Sequence, residues 1–231
     1  MSPCFDLDSD PMTPFTVLRD SFYFFRRNLG RIAQLCLPLV VLETVLQQLL
    51  DNAIGPDAPP IYDLLAGLVV YPLYTAALIL FLDARTRGEA PSNRVLLAAA
   101  LTLWPRMALL AATTTVAIVL GLSLFFLPGI WLTVVLAFAE YRLVLNRSEP
   151  LRALKESFML CRGNFWLTFT CILCVMAPLW LLKGISANLY PEPQNPLLTL
   201  VIDSAHSFLQ LFTSVVLFRL YMLLSEKADR H

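Results

Sequence analysis

Long apolar runs, separated by short polar stretches, set the character of this chain. From Ile32 to Leu50 the strongly polar side chains are Gln34, Glu43, Thr44, Gln47 and Gln48, set among leucines and valines. Comparable runs cover 61–82, 107–124, 129–145, 165–182 and 197–224. Each is close to the ~20 apolar residues that carry a helix across a hydrocarbon core of about 30 Å. A water-soluble helix would set a polar face against an apolar stripe. A membrane barrel would show strands of about ten residues with alternating polarity. Neither pattern is present, so the expected fold is all-α, a polytopic transmembrane helical bundle of six spans. Leu127-Pro128-Gly129 reads as a tight turn between spans three and four.

Between these runs lie segments of another kind. Pro14, Pro91 and Pro150 each open a stretch suited to a helical first turn. In the first stretch, apolar positions 15, 18, 22, 25 and 29 recur every three or four residues, with Arg19 and Arg26 off that face. Amphipathic interfacial helices are therefore expected near 14–29, 91–104 and 150–163. Residues 15–29 align without gaps on 151–165, with identities at Leu18/Leu154, Ser21/Ser157, Phe22/Phe158, Arg26/Arg162 and Asn28/Asn164. The chain thus reads as a short acidic lead, 1–13, expected to be disordered, followed by one transmembrane domain, 14–231. In that domain an interfacial helix and a pair of spans form a repeating unit, with 91–104 as a weaker middle copy. Three such units would pack side by side around a pseudo-threefold axis.

Composition agrees with membrane insertion: 58% of residues are hydrophobic and 15% charged, against roughly 45–50% and 25% in soluble domains. The formal net charge of zero hides an asymmetry. Basic residues gather before span one (Arg19, Arg26, Arg27, Arg31) and between spans two and three (Arg85, Arg87, Arg94, Arg106). Others lie between spans four and five (Arg142, Arg147, Arg152, Lys155, Arg162) and at the end (Arg219, Lys227, Arg230). Of the lysines and arginines, only Lys183 falls elsewhere. The positive-inside rule then places both termini in the cytoplasm. No basic domain suggests nucleic acid. Asp6, Asp8 and Asp10 argue against a cleavable signal. Of the five cysteines, all but Cys4 fall in or beside spans, so disulfides are not expected.

Several motifs resemble a known family. Leu127-Pro128-Gly129-Ile130-Trp131 opens a span, Leu154-Lys155-Glu156-Ser157-Phe158 and Gly163-Asn164-Phe165-Trp166 follow, and Leu217-Phe218-Arg219-Leu220-Tyr221-Met222-Leu223 stands near the C-terminus. With Arg19-Asp20-Ser21-Phe22, these are similar to the YciC family of bacterial inner-membrane proteins. The resemblance implies a multi-pass inner-membrane protein and brings no catalytic residues with it.

Ionisable groups inside spans are the natural places to look for chemistry, since each costs about 2.5–3.5 kcal/mol at the bilayer centre. Glu43 lies about twelve residues past Arg31, roughly 18 Å along a helix, with Gln47 one turn further. Asp203 and His206, three residues apart, share a face of span six. Together these four form a candidate intramembrane polar site; a Glu43 that faced His206 could hold or relay a proton. The plainer reading is that they hydrogen-bond across helices and fix packing. Arg26, Arg27 and Arg31 are candidate contacts for lipid phosphates, with orientation of the chain as the simpler role. Glu140, Arg142, Arg147, Arg152 and Lys155 read as ion pairs at the membrane edge. Cys171-x-x-Cys174 has redox spacing inside a span, where an active thiol pair lacks its electropositive setting. No metal site, cofactor motif or phosphate loop is present in the sequence.

Function on this basis is that of a structural, assembly or lipid-interacting membrane component. It would not be an enzyme, and its partners would be membrane lipids and an envelope protein. The alternative is a small transporter or permease built on Glu43, Asp203 and His206.

Overall fold

A computed structural model describes residues 13–54, 61–189 and 196–229. Residues 1–12, which make up nearly all of the acidic lead, the segments 55–60 and 190–195, and residues 230–231 lie outside the described residues. Those described form α1 (Pro14–Ile54), α2 (Ile61–Thr86), α3 (Asn93–Leu124), α4 (Phe126–Val135), α5 (Ala139–Asn146), α6 (Pro150–Arg162), α7 (Phe165–Leu189) and α8 (Pro196–Asp229), with no strand among them. Six spans are long and apolar enough to cross a membrane, the fourth being α4 and α5 together. The expected polytopic helical bundle is what the structure shows.

The spans pack as a ring: α8 against α1, α1 against α2, α2 against α3, α3 against α4, α4 against α7, and α7 back against α8. Within this ring α2 is the most buried span and α7 the least. The reason lies in their neighbours, since α2 also touches α5 and α8. Its segment Ala76-Ala77-Leu78-Ile79 is wholly buried. Small residues there let neighbouring backbones come close, as helix association in lipid requires.

Three expectations need correction. The first two interfacial segments are not separate helices: α1 runs unbroken for 41 residues and α3 for 32. At 1.5 Å per residue α1 is roughly 60 Å long, about twice the hydrocarbon thickness. Segment and span are one rod. Only the third copy is separate, α6 ending at Gly163 before α7 begins. In the repeat alignment Gly163 stands opposite Arg27, and glycine is less favourable in a helix by about 1 kcal/mol. Asn164 then turns the chain, donating its backbone N–H to the Cys161 carbonyl at 2.9 Å and accepting from Thr168 N–H at 3.1 Å.

The turn between spans three and four is also not Leu127-Pro128-Gly129. The extended residue is Phe125, and Pro128 lies in the first turn of α4, where its missing N–H has no intrahelical acceptor in any case. Gly129 instead serves close approach. A Cβ there would stand 2.4 Å from Leu122 Cγ, and one on Gly121 would stand 3.1 Å from Gly129 Cα.

Span four, finally, is not one helix. At Leu136-Ala137-Phe138 the ladder breaks, and a buried side chain of α6 fills the gap. Ser157 Oγ donates to the Val135 carbonyl at 2.7 Å and accepts from Phe138 N–H at 3.1 Å. Cys161 Sγ donates to the Val134 carbonyl at 3.5 Å. In hydrocarbon such freed backbone groups need partners within the protein. So α6 is not merely laid on the surface: it is pinned to span four.

Two stability predictions follow from these joints. Gly129→Ala should overpack the α3–α4 hairpin and lower stability by about 1–3 kcal/mol. Gly30→Ala, with nothing within 4 Å of its Cβ, should stabilise by about 0.5–1 kcal/mol; thermal unfolding in detergent compares the two. Ser157→Ala should cost about 1–3 kcal/mol by orphaning buried backbone groups. Its repeat mate Ser21 is equally buried but has no hydrogen-bond partner for its Oγ among the described residues. Ser21→Ala should therefore be near neutral by the same assay.

Candidate functional site

A polar seam runs through the interior from α1 to α8. It begins at Glu43, partly buried on α1, whose carboxylate lies beside Tyr74 of α2. Glycine opposite makes room for the carboxylate: a Cβ on Gly67 would come within 3.3 Å of Glu43 Oε1. Tyr71, three residues before Tyr74 and so on the same face, meets it edge to face, ring centroids 5.5 Å apart. The Tyr71 hydroxyl donates to Glu140 Oε1 of α5 at 2.9 Å.

The next residue carries the seam onward. Tyr141 donates through its hydroxyl to the Ser214 carbonyl of α8 at 2.8 Å and stacks on Tyr221 at 5.7 Å. Arg142 places its guanidinium 5.4 Å from the centre of that same Tyr221 ring, within cation–π range. Arg219, two residues earlier on α8, reaches back to Asp20 of α1 at 3.5 Å. Glu43, Tyr74, Tyr71, Glu140, Tyr141 and Tyr221 thus bind α1, α2, α5 and α8 into one unit.

Of the four residues proposed for a polar site, two lie on α1 and two on α8. Gln47 stays one turn from Glu43 on α1, partly buried. Asp203 and His206 are partly buried on α8, and the charges acting on His206 are those of Lys183 on α7 and Asp203. The described interactions of Glu43 run to Tyr74, and those of His206 to the α7–α8 pair. Arg26, Arg27 and Arg31 are all exposed on α1.

Glu140 was expected among ion pairs at the membrane edge. It is instead turned inward to Tyr71, and among the described residues none of the ion pairs includes it or Glu43. Arg152 pairs along its own helix with Glu156 at 2.8 Å. Sequence reading missed Glu140, Tyr71 and Tyr74 as a set. The one available signal was the spacing of two tyrosines on a single face of an apolar span.

Among the described residues no group of three His, Cys, Asp or Glu side chains could hold a metal. Cys171 is buried and Cys174 exposed, both as free thiols. Burial pushes the Cys161 thiol on α6 above its ordinary value, away from the thiolate that chemistry would need.

The residues that carry the family resemblance lie at joints. Asp20 meets Arg219, Phe22 meets Phe212 edge to face at 6.2 Å, and Trp131 meets Phe158 at 5.7 Å. Phe218 packs on Tyr141 at 6.2 Å.

Comparison with known proteins agrees in kind. A model of the uncharacterised protein family UPF0259 matches residues 58–223. A UPF0259 membrane protein of Pectobacterium carotovorum is 28% identical over 163 residues, 69% of this chain and 63% of its own length. One from Serratia proteamaculans is 25% identical over 252 residues, 93% of this chain and 99% of its own. One from Yersinia pestis is 23% identical over 248 residues, 93% and 96%. The chain spans less than two thirds of the Pectobacterium relative and nearly all of the other two. No solved structure matches. With six apolar spans and a family model covering most of its length, the chain belongs to the UPF0259 family of membrane proteins.

Proposed function

We propose that this protein is a structural or assembly component of the bacterial inner membrane, of the YciC type. It has no enzymatic activity, its arginine-bearing end and both termini face the cytoplasm, and it works among membrane lipids with an envelope protein as partner. The observation that carries this reading is the closure of the two interior carboxylates by tyrosines. Glu140 of α5 accepts from the Tyr71 hydroxyl, and Glu43 of α1 lies beside Tyr74, so both carboxylates face tyrosines of α2. A carrier needs polar groups that converge on a solute, usually where helices break near the midplane. Among the described residues, the break beside Glu140 is filled by Ser157, and the charges near His206 are Lys183 and Asp203. The family-resembling residues likewise join helices, which is what a scaffold asks of them. Orientation rests on the basic residues, which cluster at the end where α1 and α6 begin and α2 and α8 finish.

Flux separates this reading from the carrier alternative. Proteoliposomes should acidify no faster than empty vesicles under a proton gradient, and Glu43→Gln or Asp203→Asn should leave that rate unchanged. A gradient-driven flux abolished by either substitution, in protein that still inserts and folds, would establish the carrier instead. Reporter fusions at Glu89 and Glu149 should read cytoplasmic and those at Pro56 and Pro193 periplasmic. The reverse pattern would overturn the orientation.

A further inference from the structure

Three arginines lie toward one end of the α1–α2 pair: with Glu43 of α1 set against Gly67 of α2, the hairpin register brings Arg27 and Arg31 level with the last turn of α2. Arg27 and Arg31 lie one turn apart on α1 and so share a face. Arg85 lies in the last turn of α2. The charges acting on Arg85 are those of Arg31 and Arg27, with no carboxylate among them. The acid nearest in sequence, Asp83, is taken up by Arg87 at 2.9 Å. None of the three arginines enters an ion pair among the described residues.

Arg85 also differs from its two neighbours in setting. Arg27 and Arg31 are exposed, whereas Arg85 is partly buried, its guanidinium 5.7 Å from the centre of the Phe81 ring. Its Nε is buried and has no hydrogen-bond partner among the described residues. A guanidinium fixed against an aromatic face, with a donor unspent and two like charges beside it, lacks an anion. Like charges so placed repel unless a counter-charge joins them. Phosphate oxygens suit the arginine fork, which donates two parallel hydrogen bonds.

We infer that Arg27, Arg31 and Arg85 form a binding site for the phosphodiester headgroup of an anionic phospholipid, with Arg85 as the anchor and the α1 arginines as its open side. The position fits a lipid rather than a soluble ligand, because Arg85 closes a membrane span and the exposed α1 face rises from the same junction. Anionic leaflets draw basic residues at the membrane edge, and basic pockets between spans take acidic headgroups. Arg26, exposed but a hundred degrees or so around α1 from Arg27, lies outside the site. The inference rests on the proposed reading in one respect, that this end of the bundle faces the anionic leaflet.

The test is lipid retention by native mass spectrometry of the full chain, in detergent supplied with phosphatidylglycerol, cardiolipin or phosphatidylcholine. Wild-type protein should retain the two anionic lipids and not phosphatidylcholine. Arg85→Gln should weaken retention about fivefold to tenfold, and Arg27→Gln with Arg31→Gln by at least as much. Arg26→Gln should change it less than about twofold. As a check on folding, Arg85→Lys keeps the charge without the fork and should fall between the two. The paired α1 substitutions, both at exposed positions, keep the test open if either Arg85 variant unfolds. Equal losses for Arg26→Gln and Arg85→Gln would mean diffuse attraction and overturn the site, as would retention that ignores lipid charge. Displacement of the lipid by millimolar inorganic phosphate would overturn the headgroup assignment in favour of a soluble anion. If the Glu89 fusion reads periplasmic, the orientation fails. If orientation holds and no anionic preference appears, the site alone fails.

Discussion

Everything in this bundle depends on one constraint of the hydrocarbon core, that a backbone group freed from a helix finds a partner inside the protein. Span four breaks at Leu136-Ala137-Phe138, and Ser157 closes the break from both sides. Two consequences follow together. The break separates α5 from α4, and on α5 Glu140 and Tyr141 reach α2 and α8. The closure fastens α6, whose surface side would otherwise face only the interface, to the middle of the fold. Remove the hydroxyl and the freed backbone groups lose their support.

The polar seam can then be understood as a division of labour. A carboxylate in a span is expensive, and this fold answers the expense with tyrosine hydroxyls rather than with arginines. The arginines are left for other uses. Arg142 lies over Tyr221 and Arg219 reaches Asp20, so each ties α8 to another element near its end. Arg27, Arg31 and Arg85 lie toward one end of the bundle, and among the described residues none of them enters an ion pair. Neutral hydrogen bonding inside and uncompensated positive charge at one end suit a body that is fixed internally and open to anions at its edge.

Spans were legible because hydropathy is a local property, summed over twenty or so neighbours. The break in span four was not, for Leu136-Ala137-Phe138 contains no proline or glycine to announce it. It exists because Ser157, nineteen residues beyond Phe138, is there to satisfy it. Glu140 was misplaced for the same reason: its partner Tyr71 is 69 residues away. Arg142 and Arg147 follow it closely in sequence, which suggested ion pairs that the described residues do not make. The Pro128 turn was misread in a different way. Proline marks both a turn and a helical first turn, and only the close contact of Gly129 with Leu122 shows which one applies here.

The repeat gives the sharpest view of how little sequence separates two architectures. Residues 15–29 and 151–165 share serine, phenylalanine, arginine and asparagine at matched places. Yet the first copy runs on into its span as one helix and the third stops short of its own. Asn28 shows the difference in its side chain, which donates back to the Phe24 carbonyl at 3.0 Å within an unbroken helix. Asn164 instead sits at the bend, its backbone N–H donating to Cys161. One glycine for one arginine, at Gly163 and Arg27, accounts for the direction of this change through helix propensity. What propensity cannot supply is the partner for the serine. Ser157 meets a broken span and Ser21 does not, so the break in span four and the freedom of α6 belong to one device. Either half alone would leave buried backbone unpaired.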